Sequence, residues 1–169
     1  MALSMYDVSI PVFIRALTNL SAILEKGAAH ARAQGMDAAE LLQTRLIADM
    51  DALPAQVQRA SDSAKGCAAR LAGIDIPSYP DNETTFPELQ ERIAKTVGFL
   101  KSIRPEQLEG SETRVVELKL RNGPATFDGK SYTLGFALPN FYFHVTTAYD
   151  LLRHKGVQIG KTDFLGAPR

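Results

Sequence analysis

One helical stripe in the middle of the chain constrains the fold most strongly. Its apolar positions are spaced by four, three, four, three and four residues: Leu53, Val57, Ala60, Ala64, Cys67 and Leu71. This near-heptad spacing is typical of helices that pack lengthwise against other helices in a bundle. The alanines in the stripe leave room for a neighbouring helix to approach closely. The stripe therefore predicts a core helix over residues 53–72 and places Cys67 in the core.

The same kind of periodicity predicts three further long helices. They are expected over residues 6–33, 85–103 and 139–155. Thr85 and Glu88 have the spacing of a capping box, in which each side chain bonds the backbone of the other residue at a helix start. Pro139 suits a first helical turn, and Gly156 suits the left-handed residue that ends a helix. Asp37 also fits the cap of a short connecting helix.

Between the third and the last long helix, the apolar period changes from about 3.6 to 2, which is the period of a strand. Residues 115–120 alternate in this way, and Asp128-Gly129 is a dipeptide typical of tight turns. Beyond it, Tyr132, Leu134 and Phe136 alternate again. We therefore predict an antiparallel hairpin within residues 113–136. The expected fold is a mainly α four-helix bundle with a small β-hairpin inserted before the last helix, in one domain spanning residues 1–169.

The composition limits the classes of partner that the chain is expected to bind. The 19 basic and 19 acidic residues leave no net charge, so no nucleic-acid partner is expected. Because no apolar stretch approaches the roughly 20 residues of a membrane span, no membrane association is expected either. The single cysteine excludes an internal disulfide and suits a reducing compartment, and no signal peptide is recognisable at the start. We expect a cytoplasmic protein.

His144 is the residue most suggestive of chemistry. It falls on the inward stripe of the last helix, one turn after Asn140, where a purely apolar core would favour neither residue. Polar partners are available on the second long helix: Gln56, Gln58 and Asp62. A lone histidine in such a position is more often a hydrogen-bonded core residue than a metal ligand. Both interpretations stay open at this point.

Several motifs give the chain a family resemblance. They are Pro139 to His144 (PNFYFH), Ala148 to Gly156 (AYDLLRHKG), Gly160 to Gly166 (GKTDFLG), residues 46–50 (LIADM), 56–58 (QVQ), 62–65 (DSAK) and 83–85 (ETT). With these motifs the chain resembles a bacterial family of domains of unknown function, a branch of the DinB/YfiT superfamily of metalloenzymes. The resemblance implies a four-helix bundle, often a homodimer, with a divalent metal held by three histidines. Some members of that superfamily are thiol-dependent transferases or amide hydrolases.

The metal motif of that superfamily is incomplete in this chain. His144 falls at the second position of the His-x-x-x-His pair on the last helix, but the first position is Asn140. The histidine of the second helix should lie near Gln58 or Arg59. Neutral amides are poor ligands for zinc or nickel beside imidazole or carboxylate. We therefore expect no tightly bound metal and no cofactor.

Three hypotheses follow. The leading one is a small-molecule-binding or structural module whose pocket is lined by Gln56, Gln58, Asn140 and His144. The alternative is a hydrolase or transferase that uses a weakly bound divalent metal, with His144 as a ligand and Asp62 as a ligand or general base. The third is a closed hydrogen-bond network that fixes the helix register. An open polar pocket beside His144 would favour the first two hypotheses, and a dry core the third.

Overall fold

The four long helices predicted from the sequence are present and form a bundle. The structure, a computed structural model, describes residues 3–120 and 122–167. Its helices are α1 (Ile10–Gln34), α2 (Ala38–Leu42), α3 (Leu53–Ala72), α4 (Phe86–Ser102), α5 (Gly129–Tyr132), α6 (Leu138–His154) and α7 (Lys161–Leu165). Short 3-10 turns at Pro105–Leu108 and Ser111–Thr113 lead from α4 to the hairpin.

Helix α3 occupies the centre of the bundle, as its stripe predicts. It packs against both α4 and α6, while α1 packs against α4 and α6 from the opposite side. Cys67 is fully buried, and Phe13 on α1 meets Phe141 on α6 edge to face with ring centres 4.9 Å apart. Apolar burial of this kind is the main source of stability in a bundle. The core therefore fixes how α3 and α6 lie relative to each other.

The ends of α1 and α4 follow the signals in the sequence, whereas α6 continues from a preceding helical turn and does not begin freely at Pro139. Gly35 ends α1 with a left-handed backbone, at φ +62°, which a glycine adopts without steric cost. Thr85 and Glu88 form the expected capping box at the start of α4. At the end of the chain, α7 lies against α1, where Arg15 donates to the carbonyl of Leu165 at 2.8 Å. No helix in the described ranges is long and apolar enough to cross a membrane.

The hairpin is present, but it is shorter than predicted. Strands β1 (Val115–Leu120) and β2 (Gly123–Asp128) pair antiparallel, with Leu120 opposite Gly123. The chain therefore reverses between those two residues, and Gly123 takes up a φ of +115° there. Asn122-Gly123 is itself a dipeptide typical of tight turns. The sequence thus contained two turn signals, and the earlier one forms the hairpin.

The predicted turn at Asp128-Gly129 is wrong, and so is the strand predicted after it. The carboxylate of Asp128 accepts a hydrogen bond from the backbone of Ser131 at 2.7 Å and so caps α5. A π-helical turn, Thr133–Ala137, continues directly from α5 into α6. Tyr132 and Phe136 consequently lie on helical turns. An aspartate followed by glycine suits a helix cap as well as a hairpin turn, because its carboxylate satisfies backbone N–H groups in either setting.

Candidate functional site

His144 is held in a fixed orientation near the middle of α6. Its Nδ1 atom lies 2.8 Å from the side-chain oxygen of Gln56 on α3. The side-chain nitrogen of Gln56 donates to the backbone carbonyl of Asp51 at 2.9 Å. Because only the NH2 group can donate to a carbonyl, this second bond fixes which end of the amide faces His144. Gln56 is therefore the acceptor, and Nδ1 of His144 carries the proton.

The imidazole of His144 is neutral at ordinary pH. Burial lowers its pKa to about 4, the charge of Arg59 acts in the same direction, and Asp51 opposes them. With the proton on Nδ1, the other ring nitrogen, Nε2, has a free lone pair. Within the described part of the chain, Nε2 has no hydrogen-bond partner. It is therefore the ring nitrogen that remains available as an acceptor or a base.

A pocket of about 600 Å³ lies beside His144. Its floor is formed by α3 and α6, where the amide of Asn140 donates to the hydroxyl of Ser63. Strand β1 forms one wall through residues 117–120. The other lining residues are Arg59, Asp62, Arg70, Tyr132, Phe136 and His144. The core beside His144 is thus neither closed nor purely apolar, which favours the hypotheses that include a pocket.

The structure brings together four of the five candidate residues. Asp62, Asn140 and His144 line the pocket, and Gln56 forms a hydrogen bond with His144. Gln58 lies elsewhere, because its side chain donates to the carboxylate of Glu83 at 2.9 Å. Two residues along a helix correspond to a rotation of about 200°, so Gln56 and Gln58 necessarily point to different sides of α3.

Asp62 lies at the edge of the pocket, but other groups hold its carboxylate. Oδ1 accepts from Arg92 at 2.8 Å and from Lys65 at 2.9 Å. The guanidinium of Arg92 is almost fully buried and also pairs with Glu83 at 3.0 Å and with Asp81 at 2.9 Å. This charged network, which also includes Gln58, joins α3, α4 and the segment between them. Its arrangement suits a structural role for Asp62.

The electrostatics of Glu83 agree with that structural role. Burial by itself raises the pKa of this carboxyl, but the hydrogen bonds from Gln58 and Arg92 and the charge of Arg92 outweigh it. The net result is a pKa below the usual value. Glu83 is therefore ionised at neutral pH and attracts Arg92 with its full charge.

The donor atoms around His144 do not suit a tightly held divalent metal. A zinc or nickel site needs several imidazole, thiolate or carboxylate ligands within about 2.3 Å of the ion. The described residues contain no group of three or more His, Cys, Asp or Glu side chains that could hold a metal. The uncharged groups near His144 are amides and a hydroxyl, and the nearest carboxylates, Asp51 and Asp62, are already paired with cations.

Among the pocket residues that the sequence did not point to, four carry polar side chains on the helices: Arg59, Ser63, Arg70 and Tyr132. The three on α3 are separated by four and seven residues, so they share one helix face beside the apolar stripe. A search for polar residues along that face would have found them. Tyr132 could not have been found in this way, because it lies on α5, where the alternating pattern predicted a strand.

Comparison with known structures defines the class of the protein. A crystal structure of a DinB family member protein from Shewanella denitrificans matches the chain with a TM-score of 0.90. The two chains are 38% identical, and the match covers 97% of this chain and 93% of that one. The fold is thus a DinB-type helical bundle, as the resemblance implied.

The particular family follows from the sequence match. A family model described as a domain of unknown function, DUF1993, matches residues 5–165, and the chain belongs to this family. A search of curated proteins found no match. The family description gives no activity.

Proposed function

We propose that this protein binds a small organic molecule in the pocket between α3 and α6. The observation that carries the proposal is the bond between Nδ1 of His144 and the side-chain oxygen of Gln56, which leaves Nε2 as an acceptor beside a pocket of about 600 Å³. Pockets of 300–1,000 Å³ with a few oriented polar groups are typical of small-molecule sites. The ligand would donate a hydrogen bond to Nε2 from a hydroxyl or an amide.

The surroundings of His144 support binding more than catalysis. Gln56 and Asn140 are neutral, and the nearest carboxylates, Asp51 and Asp62, are paired with arginine or lysine side chains. The hydroxyl of Ser63, which also lines the pocket, accepts a hydrogen bond from Asn140, and no base in the described residues bonds to it. Cys67 is fully buried, and desolvation raises the pKa of its thiol to about 12. A neutral imidazole with a single free acceptor orients a ligand donor, and that is the role proposed for it.

The proposal can be tested by NMR on protein labelled with ¹⁵N in histidine. We expect 1-octanol, as a probe with a hydroxyl donor and an apolar chain, to shift the Nε2 resonance of His144 in a saturable way. His144→Gln should weaken binding about tenfold, which corresponds to about 1.4 kcal/mol. His154→Gln changes an exposed histidine at the end of α6 and serves as the matched control. Binding that is unaffected by His144→Gln would contradict the proposal.

We also propose that the protein is a homodimer in the cytoplasm. Two adjacent aromatic residues on α6, Tyr142 and Phe143, are 37% and 56% exposed and offer apolar area to a second copy. The single cysteine, Cys67, is buried and forms no disulfide, which suits a reducing compartment. Light scattering should give the mass of two chains for the unmodified protein and of one chain for Phe143→Glu. A single-chain mass for both would refute the dimer.

A further inference from the structure

We propose that the end of the pocket at Arg70 binds a carboxylate or phosphate group of the same ligand. This inference rests on the proposed function and adds a ligand class to it. Arg70 lines the pocket and, within the described residues, has no carboxylate within ion-pair distance. The other pocket arginine differs, because Arg59 is paired with Asp51. Of the two arginines that line the described pocket, Arg70 is therefore the one without a carboxylate partner.

Arg70 is also held in place. Its Nη1 atom donates to the hydroxyl of Tyr132 at 3.1 Å, and its guanidinium carbon lies 5.7 Å from the centre of the Tyr132 ring. A Cβ atom on Gly66 would lie 2.6 Å from Nη1, so the guanidinium occupies space that only glycine leaves open on this face of α3. A positively charged side chain whose position is fixed before binding loses little entropy when an anion arrives. The free N–H groups form a fork suited to carboxylate or phosphate oxygens.

The acidic residues of the pocket do not neutralise this site. Asp62 accepts from both Arg92 and Lys65, at 2.8 and 2.9 Å, so its charge is already compensated. Glu117 is exposed on β1, two residues from the exposed Lys119. Exposed charges are screened by solvent and salt much more strongly than charges in a pocket.

The spacing of the two polar ends determines the shape of the ligand. The guanidinium of Arg70 lies beside Gly66, while His144 bonds Gln56, ten residues earlier on α3. At a rise of 1.5 Å per residue, this separation is about 15 Å along the helix. Between these levels of α3 lies Ser63, which bonds Asn140, and Leu118 and Phe136 add apolar area to the pocket lining. The inferred ligand is therefore elongated, with an anionic group at one end and a hydrogen-bond donor toward the other.

Arg70 also has a simpler structural interpretation. It lies in the last turn of α3, where a positive charge interacts favourably with the helix dipole. That role requires only the charge and is indifferent to small displacements of the guanidinium. Anion binding requires the guanidinium to stay where Gly66 and Tyr132 hold it. A variant that moves the guanidinium without removing its charge therefore separates the two roles.

Two probes that differ by one charge provide the test. The two probes are 8-hydroxyoctanoate and its methyl ester, which carry the same chain and hydroxyl. A third compound, 8-hydroxyoctyl phosphate, serves as a second anionic probe. Binding is measured by calorimetry, and the Nε resonance of Arg70, assigned by its loss in Arg70→Gln, reports contact. We expect both anions to bind at least tenfold more tightly than the ester and to shift that resonance. A preference between the two anions identifies the carboxylate or the phosphate as the better-fitting group.

The variants are Arg70→Gln, Gly66→Ala and, as a matched control, Arg104→Gln, whose side chain is 74% exposed and lies outside the pocket. Alanine is favoured over glycine in a helix, so Gly66→Ala should fold while its new methyl group displaces the guanidinium. Arg70→Gln and Gly66→Ala should both abolish the advantage of the anions over the ester, and Arg104→Gln should retain it. Circular dichroism checks that each variant is folded.

Three outcomes would overturn the inference. If acid and ester bind equally well, Arg70 recognises no anion, although ester binding that depends on His144 would leave the proposed function intact. If Gly66→Ala keeps the full advantage of the anions, the fixed position of Arg70 is irrelevant and the site is not the one described. If no probe binds, both the proposed function and the inference fail.

Discussion

At the scale of single residues, the buried neutral histidine makes stability depend on pH. The pKa of His144 is lowered to about 4 in the folded chain, whereas an unfolded histidine titrates near 6.5. Between these values the unfolded state binds a proton that the folded state does not, so the free energy of unfolding should decrease as pH falls from about 6.5 to 4. Urea unfolding across this range should show a shallower decrease for His144→Gln. Identical slopes would show that His144 is not buried as a neutral ring.

Arg92 supports a second prediction about a residue. Its side chain is 1% exposed, and it is surrounded by the carboxylates of Asp62, Asp81 and Glu83. Removing Arg92 would leave the carboxylate of Glu83, which is only 10% exposed, without a cation to pair with. Arg92→Met should therefore lower the free energy of unfolding by about 3 kcal/mol, as measured with urea.

The exposed Arg104 provides the comparison for Arg92. Arg104→Gln should change stability by less than about 0.5 kcal/mol, because surface substitutions of this kind touch no buried partner. If the two variants lost similar amounts of stability, the network around Arg92 would not stabilise the packing of α3, α4 and the segment between them.

At the scale of elements, two glycines test the junction between the hairpin and the last helix. A Cβ atom on Gly129 would lie 1.9 Å from the backbone carbonyl oxygen of Ser111, so Gly129→Ala forces backbone to move and should cost at least about 2 kcal/mol. Gly98 is exposed within α4, and a Cβ there would meet nothing within 4 Å. Gly98→Ala should therefore stabilise the protein by up to about 1 kcal/mol. Thermal unfolding should show opposite shifts in Tm, and shifts of the same sign would refute the close approach at Gly129.

The same junction shows which elements the sequence could predict. The long helices were predictable because an apolar spacing repeats over several turns, as it does from Leu53 to Leu71. Each repeat adds support for a helix. The stretch from Asp128 to Phe136 is too short for such reinforcement. Its alternation of apolar residues fits both a strand and a helix with a π-helical turn, and packing against the rest of the fold decides between them. Tyr132, for example, is buried against Arg70, which is 62 residues away.

The candidate site was predictable to a similar extent. Asn140 and His144 were identified because both lie on a face that should otherwise be apolar. Their partners were harder to choose, because Gln56 and Gln58 are equally polar and only the rotation of α3 separates them. Arg92 went unnoticed, since nothing in the sequence distinguishes a buried arginine from the exposed ones around it.

At the scale of the whole molecule, Cys67 is a built-in reporter of unfolding. The thiol lies in the centre of the bundle with no exposed surface, and desolvation raises its pKa to about 12. A thiolate is needed for reaction with disulfide reagents, so the native protein should be inert to DTNB. In denaturant each chain should release one equivalent of thionitrobenzoate. Rapid reaction of the native protein would mean that the centre of the bundle opens locally.

The cross-links between α3 and α6 have one more consequence. The bonds from His144 to Gln56 and from Asn140 to Ser63 tie these two helices together at separate levels. The helices therefore cannot slide past each other without losing both bonds. The distance between the Arg70 end and the His144 end is consequently set by the rigid frame rather than by the occupant. The pocket should therefore discriminate among the proposed ligands by their length.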